Sequence, residues 1–373
     1  MLRVHGTSGE ELAAISLDEI SDVMDVKYKL RGIRSLPVCC QQLLHNGSSL
    51  EDGTKLEGPM EMQLVLLSMS TPRLQYEASV ELIFCASNLG DAKVAHFLLE
   101  AGADKDLQDE YGDTSLICAA GNSHVEVARL LLEAGADKNM QNYSGETALM
   151  AAVSVNGEEI VQLLLASRAR MDLRNDNRDT ALMLSTGYGH LGLAQLLLDA
   201  DADVDLLNYS GDTALICAAQ RGQMETVRLL LKAGAGKDYR GGFGNTALIC
   251  AAPKGFDDVV RLLLDAGADT DCQNHSGDTA LIRAASINGV EVVRLLLEAG
   301  AHKDLQNRRG ETALICAAET GNAKIVRLLL EARADKDLQS NHGDAALVYA
   351  SERGHKEIVR LLRPSKRSSD PRS

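Results

Sequence analysis

No tryptophan occurs in this chain of 373 residues, and only twelve side chains are Phe or Tyr. Aromatic anchors dominate many protein interfaces, so with so few of them the position of each one carries weight. No apolar run approaches the roughly 20 residues of a helical membrane span. None of the eight cysteines falls in a Cys-x-x-Cys pair, the spacing most structural zinc sites use, and no cofactor or metal is expected. Pro253 alone interrupts the stretch between Pro72 and Pro364. Positive charge is in deficit. The net charge of −15 divides into −4 for the first 72 residues, −13 for the long middle and +2 from Pro364 onward. An acidic surface repels phosphate backbones and anionic lipid, so neither nucleic acid nor a membrane is the expected partner. Met1 to His5 reads as the start of a strand rather than as a signal peptide. The expected location is the cytoplasm, with the nucleus as the alternative.

What is abundant is repetition. Gly112, Gly145, Gly211, Gly244, Gly277, Gly310 and Gly343 recur in a 33-residue register that only Arg178 breaks. Two residues later comes Thr114, Thr147, Thr180, Thr213, Thr246, Thr279 or Thr312, with Ala345 ending the column. Seven complete periods span 109–339, flanked by a degenerate unit at 76–108 and a truncated one from 340 to about 364. A fixed period of this size means a stacked array, because one unit cannot bury its apolar face alone.

The unit 109–141 shows what a period builds. Asp109 to Gly112 is turn sequence, and Gly112 suits a positive φ. Thr114 stands where an N-cap hydroxyl accepts a backbone N–H. Leu116 to Ala120 is small or apolar nearly all round, as an inner helix needs. Val125 to Ala134 reads as a second helix closed by Gly135, and Ala136 to Gln141 as a short extended hairpin. The same logic marks Arg168, Asp201 and Arg333, which replace the helix-ending Gly, as strained positions.

These motifs, Gly-x-Thr-Ala-Leu, Ala-Ala, Leu-Leu and Gly-Ala-Asp in phase, resemble the ankyrin repeat over about 290 residues. The family's usual Pro after the Thr and His after the Leu are here Ala148 and Met150, or Ala214 and Ile216. The resemblance implies a mainly α solenoid of about nine helix-turn-helix units that binds protein partners on its concave face.

Residues 1–72 lack the period. Met1 to Val4 and Leu12 to Ile15 read as strands, Leu17 to Leu30 as a helix with Ile20, Val23, Val26 and Leu30 on one face, and Gln41 to His45 and Met62 to Leu66 as returning strands. Gln41 to Gly47, Leu50 to Leu56 and Gln63 to Leu66 resemble the ubiquitin-like β-grasp fold, a small α+β domain. That resemblance implies an exposed apolar patch at Leu44 and Val65, with Thr7 where the family has Leu. Leu67 is followed by Ser68 and not by a terminal Gly-Gly, so an integral recognition unit is expected rather than a conjugated modifier. The tail 365–373 is expected to be disordered.

Cys85, Cys118, Cys217, Cys250 and Cys316 share one place on the inner helix, which other units fill with Ala151, Leu184, Arg283 or Tyr349. That variety fits packing rather than chemistry. His124, His190 and His355 likewise share a place at the start of the second helix and read as structural. Gly234 to Lys237 imitates a phosphate loop, but Asp238 follows where Ser or Thr is needed. Arg129, Arg228, Arg261, Arg294, Arg327 and Arg360 precede Glu133, Lys232, Asp265, Glu298 and Glu331 by four residues in the complete units, the pattern of a salt-bridged solvated face. No nucleophile, base and orienting group converge, so no enzyme is expected.

Partner choice in such an array falls to the positions that vary. At the turn tips these include Tyr111, Tyr143, Tyr209, Phe243, His275 and Arg309, with Tyr188 at the end of an inner helix nearby. Asp113, Glu146, Asp179, Asp212 and Asp278 are expected to rim this row with negative charge. The reading is a monomeric, non-catalytic scaffold or adaptor for a protein segment with apolar anchors and flanking basic residues. The alternative is an adaptor that delivers cargo to ubiquitin receptors or proteasome components through Leu44 and Val65.

Overall fold

In the computed structural model, residues 1–56, 58–67 and 71–363 are described. The sequence expectations for Ser68 and for the tail 365–373 lie outside them. The chain divides into two units, 1–176 and 177–373.

The first unit opens with alternating apolar segments that pair into a five-stranded sheet of order β2-β1-β5-β3-β4. The strands are β1 (Leu2–His5), β2 (Glu11–Ile15), β3 (Gln41–His45), β4 (Ser48–Ser49) and β5 (Glu61–Leu66). The β1–β5 pair is parallel and the others are antiparallel. Helix α1 (Val23–Arg34) covers one face, and Val23, Val26 and Leu30 meet Leu2, Val4, Leu43 and Leu64 in the core. This mixed sheet with one packed helix is consistent with a ubiquitin-like β-grasp. The helix expected from Leu17 is in fact split. Ser16 caps a short 3₁₀ turn at Leu17–Glu19, and Asp22 then caps α1 by accepting from Asp25 N. Ser21 also donates to the Asp25 carboxylate. Local Ser and Asp side chains thus out-compete a continuous helix between 19 and 23.

A helix runs across residue 76, where the 33-residue register starts. Helix α2 runs Pro72–Phe84, with Thr71 Oγ1 capping Leu74 N and Pro72 at its first turn. One period on, the places of residues 76–79 are held by the turn tip 109–112, so the first repeat has helix where the others have a tip. A π-turn (Cys85–Leu89) leads to α3 (Ala92–Glu100), followed by α4 (Ser115–Gly121) and α5 (Val125–Glu133), then Ala148–Ser154 and Glu158–Ala166.

The second unit repeats the helix pair six times, from Ala181–Tyr188 with Leu191–Asp199 to Ala346–Glu352 with Lys356–Leu362. The buried Thr of each complete period accepts from the N–H three residues on, as in Thr213 to Ile216 and Thr312 to Ile315, both at 3.3 Å. Ala345 has no hydroxyl and makes no such bond. Inner helices such as Ala214–Arg221 are buried from Ala214 to Ala219, whereas the outer Met224–Lys232 buries a single stripe of Thr226, Val227 and Leu230.

Between repeats, the expected strand hairpin is replaced by side-chain-capped turns. Among the described residues the array has only isolated bridges, Gln108 with Thr114 and Gln339 with Ala345. Carboxylates take the place of ladder partners: Asp106 Oδ1 accepts from Asp137 N at 2.8 Å, and Asp137 Oδ1 accepts from Asn139 N at 2.9 Å. The same bond recurs from Asp269 N to Asp238, from His302 N to Asp271 and from Asp335 N to Asp304. Much of the acidic surplus therefore closes loops. Arg168, Asp201 and Arg333 do adopt the left-handed region, at φ 61°, 64° and 61°.

Candidate functional site

Most turn tips are built on an Asp or Asn that folds the backbone around its own side chain, whereas Gly241 and Ser340 hold that place in the Phe243 tip and the last tip. Asp109 Oδ1 accepts from Tyr111 N and from Asp113 N, both at 2.8 Å, while Gly112 N donates to Asp109 O. Asn142 does the same for Ser144 and Glu146. Gly112 has φ 79°, and a Cβ there would lie 2.7 Å from the Tyr143 ring and backbone N. Glycine allows that turn and the close approach of the next tip without strain, whereas Arg178 takes the same place at φ 59°.

Successive tips are joined by backbone hydrogen bonds. In the first unit Tyr143 N donates to Tyr111 O at 3.1 Å and Asp176 N to Ser144 O at 3.0 Å. In the second, Tyr209 N donates to Asn177 O, His275 N to Phe243 O, Arg308 N to Ser276 O and Asn341 N to Arg309 O, at 2.8 to 2.9 Å. Gly242 departs from this pattern. Its N–H serves the Asp212 carboxylate, and a Cβ on it would lie 1.9 Å from Ser210 O.

The aromatics stand on this frame in the open. Tyr111 and Tyr143 of the first unit are 67% and 71% exposed, and Tyr209 and Phe243 of the second 80% and 76%. Tyr188 is not on a tip. It closes an inner helix and stacks on His190 with ring centroids 5.8 Å apart. Exposed Val155 and Ile287 share its place in the period and were not singled out from the sequence, although the 33-residue column contains both. His275 and Arg309 line a groove of 310 Å³ with Ser276, Asp278, Asn307 and Arg308. Arg309 is already tied to the buried Glu311 at 2.8 Å.

The expected acidic rim is half-buried and in part engaged. Asp113 Oδ1 accepts from Asn142 Nδ2 at 2.8 Å, and Asp278 Oδ1 from Asn307 Nδ2 at 3.0 Å. Burial raises the pKa of Asp179 and Asp212 above the ordinary carboxylate value, against opposing hydrogen bonds from Asn208 and Gln220. The Arg column pairs differently from the i,i+4 expectation. Arg129, Arg228 and Arg294 reach back three residues to Glu126, Glu225 and Glu291, and Arg327 reaches Glu357 of the following repeat. Long helical side chains lean toward the N-terminus, which favours these partners.

The remaining chemistry-bearing groups serve the scaffold. Burial pushes the thiols of Cys118 and Cys316 up to about 12 and those of Cys85 and Cys217 up to about 11. Among the described residues only Asp109, Asp113 and Cys118 bring three ligand atoms within 4.8 Å of one another, and both carboxylates already accept tip hydrogen bonds. His355 Nε2 lies 3.0 Å from Glu319 O, and its ring fills the space beside Gly321. In the β-grasp sheet, Leu44 and Val65 are half-buried on the face opposite the core residues Leu43 and Leu64, with Gln63 and Gln42 as their cross-strand partners. Thr7 is exposed in the β1–β2 turn.

A family model described as ankyrin repeats (3 copies) matches residues 82–175, 152–241, 234–307 and 299–372. The chain belongs to the ankyrin repeat family. Ankyrin repeats mark it as a protein–protein interaction scaffold. No curated protein matches this ankyrin-repeat chain. Among the described residues no helix is long and apolar enough to cross a membrane.

Proposed function

We propose that this protein is a non-catalytic scaffold that grips a protein segment along its turn tips. The observation that carries the reading is the display of Tyr111 and Tyr143 in the first unit, and of Tyr209 and Phe243 in the second, on tips held by backbone hydrogen bonds. An aromatic ring on a fixed backbone loses little entropy on binding and offers a large apolar face. Half-buried carboxylates behind the rings favour a partner with apolar anchors flanked by Lys or Arg. The engagement of array thiols and carboxylates in packing and turn closure supports the absence of catalysis.

The test uses a partner recovered by capture with the full chain. Tyr143→Ala combined with Tyr209→Ala is expected to weaken its binding by at least about 2 kcal/mol without moving the melting temperature. Arg261→Ala with Arg294→Ala is the control, because those exposed arginines are spent on Glu291. Loss of binding in the Arg pair but not in the Tyr pair would overturn the assignment.

A second reading rests on Leu44 and Val65, two apolar side chains left half-open on a sheet face. We propose that this face is read by ubiquitin receptors or proteasome components, making the chain an adaptor for array-bound cargo. Leu44→Arg with Val65→Asp in the full chain should abolish capture of a purified ubiquitin receptor. Unchanged capture, or none by the parent protein, would leave the plain scaffold.

A further inference from the structure

The first repeat carries a gap that later repeats fill. At the first place of the tip pairs, Tyr143, Asp176, Tyr209, His275, Arg308 and Asn341 donate their N–H to the carbonyl of the preceding tip, while the N–H of Gly242 goes to Asp212. Glu110 holds the same place in the first tip, and no preceding tip exists, because residues 76–79 are helical. Among the described residues its N–H has no hydrogen-bond partner. Where the missing tip would stand there is a groove of 380 Å³ between α2 and residues 107–110.

The walls of this groove are chemically one-sided. Tyr76, Val80 and Phe84 of α2 succeed one another at four-residue intervals and form an exposed apolar ridge, Tyr76 being 61% exposed and Val80 45%. A terminal repeat of a solenoid ordinarily turns a polar face outward, so this ridge departs from a simple cap. Leu107 lines the opposite wall, and among the described residues the only charged lining residues are Asp109 and Glu110.

We infer that this groove is a second docking surface, distinct from the aromatic tips, which receives an extended or turn segment of a partner protein with apolar side chains and at least one Lys or Arg. The segment takes the part of the missing tip. Its carbonyl accepts the Glu110 N–H, its apolar side chains lie on Tyr76, Val80 and Leu107, and its cation meets Glu110. Main-chain bonds supply affinity and the side-chain contacts supply choice, as in other cases where a peptide completes an interrupted backbone ladder. With no cation among the described lining residues, the walls select against acidic segments.

A random twelve-residue peptide display library, panned on the full chain and counter-selected on Tyr76→Ser/Val80→Ser, tests the inference. Surviving peptides should pair two or more apolar residues with net positive charge and should lose affinity at least about tenfold against Glu110→Lys. They should bind the Tyr143→Ala/Tyr209→Ala protein unchanged, which separates this groove from the tip reading. In the complex, the Glu110 amide should exchange with solvent at least roughly tenfold more slowly. Recovery of no discriminating peptide, recovery of neutral or acidic ones, or unchanged binding to Glu110→Lys would overturn it. Glu110 is exposed and its carboxylate is not part of the tip's hydrogen bonding, so that variant is expected to fold even if the α2 double variant does not.

Discussion

Glu81 fastens the β-grasp to the first array helix, and removing it should loosen both. Its Oε1 accepts from Val38 N at 2.7 Å and its Oε2 from Cys39 N at 2.8 Å. Arg31 Nη2 lies 3.3 Å from Oε1 in a buried pair, yet Arg31 Nε and Nη2 make no hydrogen bond, and the guanidinium rests 5.0 Å from the centre of the Phe84 ring. The carboxylate is therefore the better-served partner and the guanidinium the more dependent one. Glu81→Ala strands a buried cation, which costs about 3–5 kcal/mol, and orphans two part-buried amides worth up to about 1 kcal/mol each, not additively. About 4 kcal/mol is expected. Arg31→Met leaves the carboxylate its two amide donors and fills the volume, so about 1–2 kcal/mol is expected, including roughly 0.5–1 for the lost ring contact. Repeat arrays need not unfold in one step, so the readout is amide exchange at Leu30 and Leu43. Glu81→Ala should speed that exchange by nearly three decades, at about 1.4 kcal/mol per decade, and leave residues 313–331 unaffected. Equal effects of the two variants, or a loss below about 1 kcal/mol for Glu81→Ala, would refute the reasoning. For the same reason the full chain, not a fragment cut at residue 72, is the proper bait in binding experiments.

Replacing the left-handed Arg168, Asp201 or Arg333 by Gly should stabilise the array by about 0.5–1 kcal/mol each, the relieved strain exceeding the added chain entropy; a lowered melting temperature in all three would contradict this. With Arg168, Arg178 and Asp201 all at positive φ, hydrogen exchange should be faster in 142–207 than in 208–306. The buried thiols of Cys217 and Cys316, raised to about 11 and about 12, hold protons that the unfolded chain releases near pH 9. Their stabilisation is therefore complete below about pH 9 and is lost as pH rises toward 11–12, at up to about 1.4 kcal/mol per pH unit for each thiol. Cys217→Ala/Cys316→Ala should flatten the fall of melting temperature between pH 9 and 11, and an unchanged slope would count against it. Gly242→Ala should cost about 1–3 kcal/mol by overpacking against Ser210 O, measured by thermal denaturation, and should reduce partner binding through the displaced Phe243.

What the sequence made legible is what recurs. The Thr caps, the tip glycines and the aromatics on the tips follow from one column read down the period, and the helix pair around 115–133 lies where local chemistry puts it. The α2 start was hidden because residues 76–79 fall in phase with later tips, and the Thr71-Pro72 cap that extends the helix sits outside the period. A second left-handed column, with Ser123, Asn156 and Asn288 standing where other repeats have Gly90, Gly222 or Gly321, is masked in the sequence by the change of residue type. The Arg31–Glu81 contact joins residues fifty apart across two kinds of fold, and no local pattern announces it. The expected carboxylate rim illustrates a different limit. Acid at a tip can face a partner or tie down an asparagine, and composition does not distinguish the two.

The bonds between repeats span nearly constant intervals of chain. Gln273 Nε2 reaches Gln306 O and Gln306 Nε2 reaches Gln339 O, each 33 residues on, while Asp269 N and His302 N reach back 31 residues to Asp238 and Asp271. Excising 274–306 would bring a donor of each kind opposite an acceptor of the same kind, whereas excising one residue fewer would misalign all of them. A chain with one whole repeat more or fewer would therefore keep these bonds in register, and each such step adds or removes one pair of variable tip positions.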